Sequence, residues 1–318
     1  MSKQANTNTP KASAATKGAT LGVLAALLSF SLGPVGVVVQ KWLVASFSPF
    51  LIIAIQASGG AVLLWLVRWL VFPKVAVPLR AKLMGLTLGV LHPGAFMIVY
   101  TAASGSLDSV TAVLLLALGP ALIAVGGWLI LRETLRPVVL VGIGFSLLGL
   151  VVLVSKREAT GENTPLGFAL GGLGLLLTSG AMITGRAFNT GAILPWFVLA
   201  PLQVTGGAVV AWIGTLATGA TIDPAAIASE YPAFIYLIVG MTAVSYLAYN
   251  FALSRLPTPV LGLLAAGAPG IGALAASVIF DTSIGSTAFA GIAIILFGSA
   301  LPPLWGILMR SRSTRRLP

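Results

Sequence analysis

The chain has 318 residues, 58% of them hydrophobic and only 8% charged, with a formal net charge of +11 and a mean hydropathy of +1.04. That balance excludes an ordinary water-soluble domain. Zero cysteines and a single histidine exclude disulfides and thiolate metal sites and argue against a metalloenzyme, so no cofactor and no metal are expected.

Residues 1–17 are polar, carry Lys3, Lys11 and Lys17 and show no periodic apolar face, which predicts a disordered cytoplasmic tail. A cleaved signal peptide is the alternative, but the apolar run that follows is long for one and offers no clear cleavage site. From there on the charged residues act as punctuation. They leave ten intervals free of Asp, Glu, Lys and Arg: 18–40, 42–67, 83–107, 109–131, 137–155, 163–185, 187–222, 231–254, 256–280 and 282–309. Crossing the hydrocarbon core takes about 20 helical residues. Barrel strands would be shorter and would alternate polar with apolar residues, which these intervals do not. The expected fold class is therefore an all-α polytopic membrane protein with ten transmembrane helices, its backbone hydrogen bonds satisfied internally. A basic cytoplasmic tail, residues 310–318, closes the chain.

The spans carry few distinguishing residues. In the first, Pro34 sits among glycines, and Pro120 and Pro269 stand similarly in the fourth and ninth; all three interrupt spans and predict kinks, fixed rather than hinging. In the second, Gln56-Ala-Ser-Gly59-Gly60-Ala-Val-Leu-Leu-Trp65 returns 147 positions later, in the seventh, as Gln203-Val-Thr-Gly206-Gly207-Ala-Val-Val-Ala-Trp212. The paired glycines read as close helix packing, the glutamines as interhelical hydrogen-bond partners and the tryptophans as interfacial anchors, with a paired binding motif as the alternative. His92, before Pro93 in the third span, is the one ionisable side chain deep in any interval. Such a residue either faces an interior cavity, handling substrate or protons, or binds backbone groups opened by the proline. Phe96 and Tyr100 continue its helical face, while Thr242, Tyr246, Tyr249 and Asn250 form a mixed aromatic and polar face in the eighth span. Those tyrosines suit either gates of a cavity for small amphipathic solutes or interfacial anchors.

A shift of 149 residues aligns further parts of the two halves. Tyr100 meets Tyr249, Pro120 meets Pro269, and Gly142, Ile143 and Gly149 meet Gly291, Ile292 and Gly298. The expected domains are a first five-helix repeat over 18–160 and a second over 161–309. Five is odd, so the second copy is inverted, which suits alternating access. With both termini cytoplasmic, every basic residue except Lys41, Lys156 and Arg157 falls on the inner side. Equivalent loops agree, because Arg68, Lys74, Arg80 and Lys82 follow the second span whereas Asp223 and Glu230 follow the seventh.

Leu118-Gly119-Pro120 running to Glu133, Ala268-Pro269-Gly270 in the ninth span, and Gly-Ile-x5-Gly in the fifth and tenth carry a resemblance to a known family. Over residues 18–309 the chain resembles the EamA-type branch of the drug/metabolite transporter superfamily and, within it, the aromatic amino acid exporters of the YddG type. Asp281-Thr282 departs from the pattern, standing where a Glu is usual. The resemblance implies not an enzyme but an inner-membrane exporter of amino acids, aromatic and other apolar ones included, working around a central cavity. A broader metabolite, drug or nucleotide-sugar carrier is the alternative. A membrane scaffold or lipid-modifying enzyme is disfavoured, since large soluble domains and clustered catalytic acids are missing. The expected partners are a small-molecule substrate and membrane lipids; a monomer suffices, and basic residues scattered among loops argue against nucleic acid. No Asp or Glu lies away from a span's end and no phosphate-binding loop motif occurs, which favours downhill export or exchange over carboxylate-based proton antiport or ATP use.

Overall fold

The structure, a computed structural model, describes residues 9–104, 106–107, 111, 115, 117–155, 163–191, 193–281 and 283–314. Among them all regular structure is helical. In chain order come α1 (Thr9–Leu43), α2 (Pro49–Val71), α3 (Leu79–Gly89), a π-helical stretch Val90–Ala95, and α4 (Phe96–Ser104). Next are α5 (Gly119–Leu131), α6 (Pro137–Val154), α7 (Pro165–Thr190) and α8 (Trp196–Ala217). The short α9 (Pro224–Ser229) and α10 (Tyr231–Ile235) lead to a second π-helical stretch, Tyr236–Val244. Finally come α11 (Ser245–Arg255), α12 (Thr258–Ala265), α13 (Ala268–Ile279) and α14 (Ser286–Thr314).

Eight of the helical segments are long and apolar enough to cross a bilayer, and Gly119–Leu131 and Ser286–Leu301 are shorter apolar helices. Both outer boundaries differ from the sequence expectation. The first helix starts at Thr9, within the segment read as a tail, and the last runs to Thr314. Alanine-rich residues extend an existing helix at little cost, since only its first turn is expensive to nucleate. Large apolar side chains point outward throughout, Val278 being 81% and Leu216 76% exposed. Lipid, rather than water, is the solvent such a surface requires.

Two helix pairs are self-complementary. Between α2 and α8, Trp65 Nε1 donates to Thr205 Oγ1 at 3.1 Å, and Trp212 Nε1 donates to Ser58 Oγ at 2.8 Å. Each bond is the other's image under the 147-residue shift. Numbering rises along one helix as it falls along the other, so the pair is antiparallel. The two indoles, read from the sequence as interfacial anchors, find hydrogen-bond partners on each other's helix. In α6 and α14 the same logic uses glycine: a Cβ on Gly142 would lie 2.6 Å from the Gly298 carbonyl oxygen, and one on Gly298 equally close to that of Gly142. Gly149 and Gly291 face each other likewise, and Ser146 Oγ donates to the Ile295 carbonyl at 3.3 Å. Small residues let these backbones meet where lipid supplies no hydrophobic drive.

Gly149→Ala is accordingly expected to lower the thermal midpoint of the purified protein, an overpacking cost of about 1–3 kcal/mol. Its Cβ would stand 2.6 Å from the Ile295 backbone nitrogen, which cannot turn aside. Gly144→Ala, where a Cβ meets nothing within 4 Å, should leave the melt unchanged.

Candidate functional site

The third span is not one helix. His92 has φ −147° and ψ 116°, an extended conformation that separates α3 from α4. Pro93 removes a backbone donor at the same point. In the second half, the π-helical stretch Tyr236–Val244 stands at the matching place, with Met241 and Thr242 aligned on His92 and Pro93. No proline marks that second irregularity; the signal that could have found it is its repeat partner. Both stretches are seated on the duplicated glycine pairs. Gly207 faces Pro93, whose Cγ would be 2.6 Å from an added Cβ, and Gly60 faces Thr242. A Cβ on Gly59 would reach Ile238 Cδ1 at 2.8 Å, and one on Gly206 would meet the Val90 backbone nitrogen at 2.7 Å.

The expected site residues gather in two groups. His92, Phe96 and Tyr100 form a ladder of rings, with centroids 5.1 and 5.6 Å apart. Tyr100, at its end, is 36% exposed. Tyr246 and Tyr249 make the second group, 6.3 Å apart, with Phe30 of α1 edge-on to Tyr249 at 6.4 Å. Among the described residues no ring contact joins the groups. Thr242 and Asn250, expected on the tyrosine face, are buried in packing: Thr242 covers Gly60, while Asn250 Nδ2 donates to Gln203 Oε1 at 2.9 Å. For Thr242, which lies within it, the π-helical stretch adds a residue to the turn and changes which residues share a face. Gln56 Oε1 accepts from Gln40 Nε2 at 2.8 Å. Both glutamines therefore link helices, though not to each other.

The prolines act in two ways. Pro34 lies inside α1, where its ring faces Gly272. Pro120 and Pro269 instead occupy the first turns of α5 and α13, positions that need no amide hydrogen. The ninth span breaks just ahead of Pro269, between α12 and α13.

Sequence reasoning missed the main polar cluster. Arg132, just past α5, adopts a left-handed conformation (φ 55°), and the Glu133 amide donates back to the Gly127 carbonyl at 3.1 Å. Glu133 Oε1 thereby meets Arg186 Nε of α7 at 2.9 Å, the one ion pair among the described residues. Its Oε2 accepts from the Thr258 amide at the start of α12, while Arg186 Nη1 donates to the Leu253 carbonyl near the end of α11 at 2.6 Å. The anion thus caps a helix N-terminus and the cation a C-terminus, each matching the local helix dipole. We call this arrangement the clasp; it ties α5 and α7 to the α11–α12 corner. Opposite charges at the ends of spans were its only trace in the sequence, and the partners lie 53 residues apart. Under the 149-residue shift Val37 stands for Arg186 and Thr282 for Glu133, so neither repeat equivalent is charged. Consistently, α11 packs on α1, α7 and α8, whereas its repeat partner α4 packs mainly on α7.

Helices of this length, with apolar side chains turned outward, define a multi-pass α-helical membrane protein. Residues 19–155 match the EamA-like transporter family. A solved structure described only as "Crystal structure of protein" superposes with a TM-score of 0.74 at 20% identity, covering 91% of this chain and 99% of the other. At that identity the likeness concerns the fold alone. No curated protein gives a significant match.

Glu133 and Arg186 side chains are only 14% and 12% exposed. Removing one partner leaves the other poorly solvated, so Arg186→Ala should destabilise the protein by about 3 kcal/mol. In a double-mutant cycle read by thermal melts, Glu133→Gln combined with Arg186→Gln should cost less than the sum of the single changes.

Proposed function

We propose that the protein is an inner-membrane transporter of the drug/metabolite superfamily that exports amino acids, aromatic and other apolar ones included, by alternating access. The observation that carries this reading is the pair of interrupted spans, the third and the eighth, at repeat-equivalent positions. Irregular backbone at membrane depth survives only where protein buries it or a cavity adjoins it, and paired interruptions mark transporter binding sites. The family match over the first half supports transport rather than catalysis.

In this reading the two shorter apolar helices complete ten crossings, arranged as two inverted halves of five. The antiparallel, mutually imaged contacts of α2 with α8 and of α6 with α14 support the inversion. Both termini are cytoplasmic, following the distribution of basic residues. The clasp then closes the cytoplasmic end, and the exposed Tyr100 belongs to an open outer end. His92, Phe96 and Tyr100 line the outer approach, while Tyr246 and Tyr249 close the inner one against Phe30. An aromatic substrate ring stacks on Phe96 and Tyr100, and its carboxylate meets the positive N-terminal end of α4 at the break. A monomer is sufficient for this cycle.

Efflux of radiolabelled amino acids, nucleosides and cationic drugs from proteoliposomes tests the assignment. Aromatic amino acids should move, and His92→Ala should slow them at least about tenfold, a loss of roughly 1.4 kcal/mol of transition-state stabilisation. Wild-type rates for His92→Ala between about pH 5 and 8 would remove His92 from the site. Movement of no amino acid at all would defeat the substrate assignment. Single cysteines introduced at positions 74 and 220 of this cysteine-free chain should react with an impermeant maleimide from opposite faces.

A further inference from the structure

Between α3 and α7 a groove of about 530 Å³ runs from Arg80 to Leu91. Leu83, Leu91 and Leu176 on its walls are 54%, 43% and 60% exposed, so it opens sideways towards lipid. Gly180 widens it, since a Cβ there would meet nothing within 4 Å. The equivalent site in the other half is filled. Tyr236, the repeat partner of Thr87, lies with its ring against Gly240 and donates its hydroxyl proton to the Leu32 carbonyl of α1 at 3.0 Å. Thr87 is too short to do the same. One repeat thus plugs the seam between its helices with its own aromatic side chain, and the other leaves the seam vacant.

We propose that this vacancy holds one acyl chain of an anionic phospholipid, with the lipid phosphate on Arg80. The walls are apolar along the groove's length apart from the hydroxyls of Thr87 and Thr184. Arg80 stands exposed at one end and makes no ion pair among the described residues. A cation at the mouth of an apolar channel that opens to the bilayer complements a phosphate followed by a hydrocarbon chain. The same end is the cytoplasmic one in the orientation proposed above, which would place the lipid in the inner leaflet. Binding itself does not depend on that orientation, and maleimide labelling tests it separately.

The full-length protein, purified in detergent, is mixed with dioleoylphosphatidylglycerol or dioleoylphosphatidylcholine, and bound lipid is counted by native mass spectrometry. Wild type should retain one phosphatidylglycerol in preference to phosphatidylcholine. Arg80→Gln should lose that preference by about fivefold. Thr87→Tyr, which imports the plug of the other repeat, should lose both lipids while running as a folded, monodisperse species. Gly180→Leu fills the groove from the opposite wall and serves if Thr87→Tyr does not fold. Wild-type lipid retention by a folded groove-filling variant overturns the proposal, as does an unchanged phosphatidylglycerol preference in Arg80→Gln.

Discussion

Backbone that leaves the α-helical pattern inside a bilayer must find its hydrogen bonds and its cover within the protein, because hydrocarbon provides neither. The rest of this structure depends on how that demand is met at Val90–Ala95 and Tyr236–Val244. In each half a Gly-Gly pair lets the irregular stretch of the other half lie directly against it. The duplicated block thus does structural work at both irregular stretches. Its glycines allow a broken helix to exist at membrane depth, its hydroxyl residues accept from the opposing indoles, and its glutamines bond to neighbouring helices.

Charge is used as sparingly as irregular backbone. The Glu133–Arg186 pair satisfies four groups at once: two side chains, one orphan amide and one orphan carbonyl. Gly127 makes room for it, since a Cβ there would lie 3.3 Å from the Glu133 carboxylate and 2.8 Å from Thr258. An ion pair so fully bonded is stable only while α5, α7 and the α11–α12 corner stay together. Among the described residues the ion pair stands near the C-terminal end of α7 only; at the other end of that helix Thr164 Oγ1 donates to the Ser106 carbonyl at 3.2 Å.

Much of this was legible in the sequence. Charge-free intervals mark where the apolar helices lie, and the repeated glycines mark their closest contacts. Phe96 and Tyr100 share a face by the helical spacing of α4, and the His92 ring, though its backbone is extended at the break, still lies 5.1 Å from that of Phe96. In the eighth-span counterpart the π-helical stretch, which no proline marks, leaves no local trace, and the burial of Thr242 and Asn250 follows from tertiary packing. The clasp was hidden for a different reason. A contact between residues 53 apart, each at a helix end, follows from tertiary packing that no periodicity encodes. The α3–α7 groove needed both sources: the repeat alignment sets Thr87 opposite Tyr236, but only the structure shows the tyrosine filling its seam.

Ser146 and Ile295 touch although they are each other's repeat equivalents, so the relation between the halves has a fixed point there. A contact at a fixed point is its own image. Contacts that straddle such a point instead come in pairs, each the image of the other. The α6–α14 glycines and the two tryptophan bonds of α2 and α8 are of the second kind. They lie along the axis that relates the two halves, so a substitution there disturbs a contact and its image together.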